Sequence, residues 1–270
     1  MTDVERPDSI PQNQPQRIVR IPEAILFDVD RCSLDTVKTF GVAVEAAAYN
    51  TPITGPSLYD AYKRHAHNKL PLNLVGHINN ELEGTGYTWK DHIEPDFIEK
   101  GRRLDLLMKG ARTVIDYAQQ AELFLAMFTY GSSSPLRNDQ KWEDAKAWQL
   151  AKIAAGGLDD LPSYVCNRKE KGAKIAGWHR SDEGFYLPDS MSTEPGIQVI
   201  ARRVVLIDDR TDSFDGMNEF MYGIRVNPEG EANQMEYQSG ELPSGVVTVH
   251  GMTEALGALK TFVMLGRAHG

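Results

Sequence analysis

The run Ala24-Ile25-Leu26-Phe27, followed at once by Asp28-Val29-Asp30, constrains this chain more than any other stretch. A short, unbroken apolar segment is the signature of a strand buried on both faces, as in a parallel sheet. Two aspartates at its carboxyl end then lie where open α/β sheets place their ligands. In extended backbone Asp28 and Asp30 point to the same side. Two like charges so close are costly unless a cation lies between them or their roles are divided. A divalent metal, or a split into nucleophile and acid, satisfies that condition; a strand followed by an Asp-rich turn is the plain alternative.

Bulk properties narrow the class. The 270 residues, 41% hydrophobic and 25% charged, suffice for a full core in one large domain or two smaller ones. The net charge of −9 argues against electrostatic binding of nucleic acid, and no basic stripe is present. Cys32 and Cys166 are the two cysteines. Their separation fits neither a disulfide framework nor a zinc site, and points to a reducing, cytoplasmic setting. Residues 1–20, rich in Pro, Gln and Asp, read as a disordered lead-in rather than a signal peptide. No apolar run is long enough to span a membrane, so no membrane partner is expected.

Along the chain, helical spacing is predicted for 36–49, 56–70, 72–83 and 94–107. Residues 36–106 thus form a helical block without a convincing strand. An α/β rhythm then follows: a helix over 108–119, an apolar strand over 123–128 ending in Thr129-Tyr130, and a helix over 140–155. A short strand over 163–166 comes next, then a helix opening near Lys169-Glu170-Lys171. Residues 181–196 suit either a hairpin or a surface loop. A third strong strand ends in Val204-Val205-Leu206-Ile207-Asp208-Asp209. Beyond it a helix over 214–222, a strand over 223–226, a loop over 228–244, a strand over 245–249 and a helix over 253–265 are expected.

Each strong strand therefore ends in a group suited to phosphate or metal chemistry: Asp28 and Asp30, then Thr129, then Asp208 and Asp209 with Asp212 nearby. The lysines Lys169, Lys171 and Lys174 lie between the second and third strands. Parallel strands share one carboxyl edge, so these groups can converge in a single cleft.

The order Phe27-Asp28-Val29-Asp30, Phe128-Thr129, Lys171-Gly172, Leu206-Ile207-Asp208-Asp209 resembles the four motifs of the haloacid dehalogenase superfamily of phosphohydrolases, over residues 22–262. The resemblance implies an α/β, Rossmann-like three-layer fold with a parallel sheet. It implies a core of 21–35 and 107–270, and a helical type-1 cap, 36–106, inserted after the first strand. It implies a phosphatase that hydrolyses a phosphate monoester through an aspartyl-phosphate, with Asp28 as nucleophile and Asp30 as acid–base group. Mg²⁺ would be held by the Asp28 carboxylate, the Asp30 backbone carbonyl and Asp209, with Asp208 or Asp212 holding metal-bound water. Thr129, Tyr130 and Lys171 would bind the substrate phosphate, Lys174 being the alternative lysine. The substrate would be a small phosphorylated metabolite or a phosphorylated protein. Dehalogenases of the superfamily generally lack the second aspartate, so Asp30 favours phosphoryl chemistry, by hydrolysis or by a phosphomutase; a non-catalytic binding or regulatory protein is the rival reading. Two residues depart from the pattern: Arg31 stands where the family has Gly or another small residue, and Cys32 where it has Thr or Val.

Other residues invite functional readings with plainer rivals. His65, His67 and His77 lack the ligand spacing of a metal site and read as surface or core histidines. Trp142, Trp148 and Trp178 read as packing residues. Ser132, Ser133 and Ser134 lack the Gly-x-Ser-x-Gly frame of a nucleophile elbow. Asp212 suits either a helix cap or the support of a metal. Tyr59, Tyr62, Lys63, Arg64 and His65 are candidates to face the cleft from the helical block.

Overall fold

The computed structural model describes residues 17–67, 73–131, 139–192, 194–227 and 241–268. A mostly parallel sheet with flanking helices is built in the order β1 (Arg17–Phe27), α1 (Thr36–Asn50), α2 (Gly55–His67), α3 (Leu74–Glu81), a π-helical turn (Trp89–Ile93), α4 (Glu94–Leu104), α5 (Ala111–Gln120), β2 (Phe124–Tyr130) and α6 (Asp139–Ala155). There follow β3 (Ser163–Cys166), α7 (Lys171–Ala176), β4 (Arg180–Ser181), β5 (Gly184–Tyr186), β6 (Ile197–Asp208), β7 (Met221–Val226), β8 (Val246–Val249) and α8 (Met252–Ala268).

β1 runs parallel to β2 on one side and to β6 on the other. The far edge of β6 is shared: Ile200 and Ala201 pair antiparallel with β5, and Val204–Asp208 pair parallel with β7. The apolar residues of the central strands are buried on both faces, as their unbroken hydrophobicity requires. Ile25, Phe27, Met127 and Ile207 join a core shared with α5, α8 and the helical block. Leu26, Phe128, Val204 and Leu206 face the opposite layer, covered by α7 and the β4–β5 hairpin. Among the described residues no helix is long and apolar enough to cross a membrane.

The structure departs from the sequence expectations in two places and decides between two readings in a third. β1 begins at Arg17, so residues 17–20 of the expected lead-in are strand: they pair in register with Ile197 to Ile200 of an equally extended β6. The piece 181–196 holds a hairpin and then a 3₁₀ turn, Asp189–Met191. Its Gly184, at φ 136°, lies where an added Cβ would sit 2.2 Å from the Ala201 carbonyl oxygen, so another residue would displace the hairpin from β6. The helix expected over 214–222 is absent. The chain makes a 3₁₀ turn, Asp212–Phe214, and enters β7 at Met221. Gly216, at φ 79° and packed against Ala173, turns the chain out of any helix there. Residues 1–16, Ser132–Ser134 and 228–240 lie outside the described residues, as do the side chains of Arg64, His65 and His67.

Candidate active site

The site forms in the loop that closes β1. Its backbone is tied on both sides: the Asp28 amide donates to the Ile207 carbonyl at 2.9 Å, and the Leu34 amide to the Val29 carbonyl at 2.8 Å. The Arg31 amide donates to the Leu34 carbonyl at 3.0 Å and to Thr36 Oγ1 at 2.9 Å. Arg31 has φ 56°, the left-handed region that a side chain resists. That explains the small residue in the resembling motif, and it marks the loop as held by its surroundings. Cys32 is buried with its thiol against the Ile207 carbonyl. Burial, then Asp28, Asp208 and Asp209, push that thiol well above its usual range, so it is inert. α1 starts immediately after, capped by the Asp35 carboxylate, which accepts from the Lys38 amide.

Asp28 is buried at the sheet centre, and Lys171 reaches it from the first residue of α7. The Lys171 ammonium donates to Asp28 Oδ1 and, at 2.5 Å, to Asp208 Oδ2. Gly172 permits this approach, because a Cβ there would lie 2.7 Å from the Asp215 carbonyl oxygen. Lys174 instead lies over the Tyr164 ring, 5.8 Å from its centroid, so of the candidate lysines it is Lys171 that meets Asp28. Asp208, at the end of β6, also accepts from the Arg210 amide at 2.9 Å. Carboxylate oxygens of Asp28, Asp208 and Asp209 all lie within 4.8 Å of one another. Burial drives Asp28 up to about 7; Lys171 pulls it down only in part, and Asp208 and Asp30 raise it further. Asp209 is pushed well above its ordinary value by burial, Asp208 and Asp28. Burial alone would discharge Lys171, but Asp208 and Asp28 overcome it and hold the ammonium protonated.

Asp30 has different neighbours. Its Oδ1 accepts from Thr36 Oγ1 at 3.2 Å; its Oδ2 accepts from Lys152 Nζ at 2.5 Å and from Gln149 Nε2 at 3.4 Å. Burial opposes ionisation, yet Lys152 with these hydrogen bonds brings Asp30 below the ordinary carboxylate value. Thr129, buried at the end of β2, donates to Gln149 Oε1 at 3.1 Å. Tyr130 offers its carbonyl to Gln149 Nε2 at 2.9 Å, while its ring packs on the opposite face of the sheet.

Several candidates lie elsewhere. Asp212 neither caps a helix nor joins the carboxylate cluster: Arg210 takes it in a two-pronged ion pair at 2.9 and 2.7 Å, and Lys169 adds a third contact at 3.4 Å. Its carboxyl is accordingly lowered against the effect of burial. His77 is half-buried on α3, apart from the carboxylate cluster, which is the one metal-capable group among the described residues. Trp148 packs against Trp89 and Phe97, and Trp178 against Phe128 and Tyr164. Tyr59 and Tyr62 pack on Phe40, and Lys63 is exposed.

Sequence reasoning missed Lys152 and Gln149. Both are buried on α6, beside Trp148, Ala151 and Ile153. Their spacing does not set them apart from Glu143 and Lys146 on the same helix; once buried, Lys and Gln require partners.

No protein-family model matches the chain, and none of the curated proteins matches it in sequence. Solved structures do resemble it. A haloacid dehalogenase-like hydrolase of Burkholderia xenovorans superposes with a TM-score of 0.54 at 13% identity, over 90% of this chain and 98% of that one. A HAD-hydrolase of Bacillus subtilis bound to magnesium gives 0.43 at 16% identity, over 89% and 99% of the two chains. A β-phosphoglucomutase of Thermotoga maritima gives 0.44 at 17%, over 88% and 99%. The chain has the haloacid dehalogenase fold.

Proposed function

We propose that this chain, a haloacid dehalogenase fold with four carboxylates at one sheet edge, is a Mg²⁺-dependent phosphatase that hydrolyses a phosphate monoester through an aspartyl-phosphate on Asp28. The carrying observation is the unequal treatment of Asp28 and Asp30: one is clustered with Asp208 and Asp209 against Lys171, the other is held apart by Lys152. Paired carboxylates in contrasting environments divide nucleophile from acid–base work.

The donor set fits the metal. Three carboxylates with oxygens within 4.8 Å offer the hard oxygen ligands that Mg²⁺ favours. Asp28, Asp208 and Asp209 would hold the ion, with the Asp30 carbonyl as the further ligand that the family resemblance implies. An ion held there would offset the charge of the phosphate, so that the anionic Asp28 could approach an anionic ester. Without cations two unit charges at 4 Å repel by about 4 kcal/mol at an effective dielectric of 20. Lys171 supplies a fixed positive charge beside the nucleophile, and Thr129, held in place by Gln149, is the hydroxyl that would face a phosphate oxygen.

In the first step an Asp28 oxygen bonds to phosphorus as the P–O ester bond breaks. The leaving oxygen takes a proton from Asp30. Because Asp30 rests ionised, that proton enters with the substrate as its monoanion. In the second step water attacks phosphorus, Asp30 accepts the water proton, and the Asp28–phosphorus bond breaks to release inorganic phosphate. The substrate is a small phosphorylated metabolite or a phosphorylated protein.

The test is a panel of phosphate esters assayed with Mg²⁺, with chelator, and with Asp28→Asn. Turnover that chelator abolishes, and that falls by about 10³-fold or more in the variant, is expected. Unchanged turnover in folded Asp28→Asn overturns the mechanism; absence of turnover on every ester favours a non-catalytic binding protein.

A further inference from the structure

Lys152 is 2% exposed and lies inside α6, remote in sequence from the four motifs that build the site. Among the described residues its ammonium has one polar partner, Asp30 Oδ2 at 2.5 Å. It lies over the face of Trp148, 5.2 Å from the ring centroid. Trp148 is in turn wedged edge-on against Trp89 and tilted on Phe97, two buried residues of the helical block. The long side chain is therefore confined along its length, and its charge is aimed at one oxygen.

One turn earlier on the same helix, Gln149 makes three contacts from one amide group. Its Nε2 donates to the Tyr130 carbonyl at 2.9 Å and to Asp30 Oδ2 at 3.4 Å; its Oε1 accepts from Thr129 Oγ1 at 3.1 Å. Thr36 holds the other Asp30 oxygen at 3.2 Å and is itself fixed by the Arg31 amide. A buried ion pair is seldom a source of stability over an apolar pair of equal volume. What the pair does supply is a single rotamer for Asp30, while Gln149 links that carboxylate to the Thr129 hydroxyl.

We propose that Lys152 and Gln149 are positioning residues for the acid–base step: Lys152 fixes the Asp30 carboxylate toward the leaving oxygen, and Gln149 locks Asp30 and Thr129 into one unit. The proposal rests on the phosphatase reading above. Proton delivery by a placed carboxylate contributes 10²- to 10⁴-fold, and displacement by about 1 Å forfeits about a hundredfold. The contribution depends on the leaving group. An alkoxide is too basic to depart without a proton, whereas 4-nitrophenolate departs without one.

The experiment measures single-turnover release of the leaving group from an alkyl phosphate that the wild type accepts and from 4-nitrophenyl phosphate. Lys152→Met is expected to slow alkyl release by about 100-fold and nitrophenol release by less than about threefold, with KM for both within about twofold. Gln149→Ala is expected to slow alkyl release by about tenfold and also to raise KM, because Thr129 loses its partner. Equal losses on both esters in folded Lys152→Met, or no loss on either, overturn the proposal. Where Lys152→Met does not fold, Thr36→Val removes the opposite anchor of Asp30 and must show the same alkyl-selective loss, or the proposal fails. Wild-type turnover lost in Asp28→Asn but without leaving-group selectivity in the Lys152 and Thr36 variants refutes the positioning role alone; absence of wild-type turnover refutes the reading beneath it.

Discussion

The two sides of the β1 loop solve the same electrostatic problem in opposite ways. On the Asp28 side three carboxylates crowd against Lys171, and the cluster remains short of positive charge: Asp28 rises to about 7 and Asp209 well above its ordinary value. On the Asp30 side a single carboxylate has its own lysine and two further donors, and is held ionised. Charge balance is complete around Asp30, the proposed acid–base group, and incomplete around the three carboxylates proposed to hold a cation. A site needs both conditions, because a fully neutralised cluster would have little affinity for a metal, and an unneutralised acid–base group would have no fixed position.

The largest effect that would test this contrast is the loss of Lys171. Asp28 has a side-chain exposure of 6% and Asp208 of 0%, so Lys171→Met leaves buried carboxylates without a cation. The variant is expected to lose about 3–5 kcal/mol in chemical denaturation and about 10³-fold in activity. Lys152→Met should lose visibly less stability, because Asp30, at 34% side-chain exposure, can turn to water. Equal stability losses in the two variants would break the comparison.

Protonation separates the two sides next. Asp28 binds its proton more tightly folded than unfolded, so its contribution to the stability of metal-free protein is full below about 4 and is lost as pH rises toward about 7. Asp30 has the opposite sign: its contribution is present above about 4 and lost as pH falls below the ordinary carboxylate value. Since Asp28 must shed its proton to ligate a metal, Mg²⁺ affinity is expected to rise with pH up to about 7, by about tenfold per unit below it, with proton release on binding. Calorimetry in buffers of different ionisation enthalpy measures both, and pH-independent affinity without proton release would contradict the assignment.

Legibility follows the same division. The Asp28 side was readable because its parts terminate apolar strands: Asp28, Thr129 and Asp208 each follow an unbroken buried run, and the order of such runs fixes a shared edge. Lys171 was singled out only by the resemblance, with Lys174 as the alternative; the structure adds the reason for its neighbour, since a Cβ at 172 would meet the Phe214 and Asp215 carbonyls. The Asp30 side was not readable, because Lys152 and Gln149 belong to a helix interior where sequence spacing does not tell a buried polar pair from a solvated face. Of the two readings open for Asp212, the helix cap fails because the chain turns out of any helix at Gly216; Arg210 and Lys169 hold its carboxylate, a local arrangement that periodicity does not reveal. The extension of β1 back to Arg17 is a tertiary effect, dependent on the matching length of β6.

The smallest expected effect concerns the residue that follows Asp30. Arg31 pays for its left-handed backbone, and Arg31→Gly should raise stability by about 1 kcal/mol, read as a shift in denaturant midpoint. A destabilised variant would mean that the Arg31 side chain, whose charge acts on Asp209, matters to the fold more than its backbone costs.

The shared core carries a consequence for engineering and for heredity alike. Phe40, Leu58, Trp89 and Phe97 of the helical block belong to one apolar cluster with Ile25, Phe27, Met127 and Ile207 of the sheet, and Trp148 of α6 lies between them. Such a block is not an interchangeable part. Grafting it onto another sheet would carry over half of an interior, and excising it would strip the face of β1 on which Asp28 and Asp30 depend. The chain should therefore melt in a single transition rather than in two.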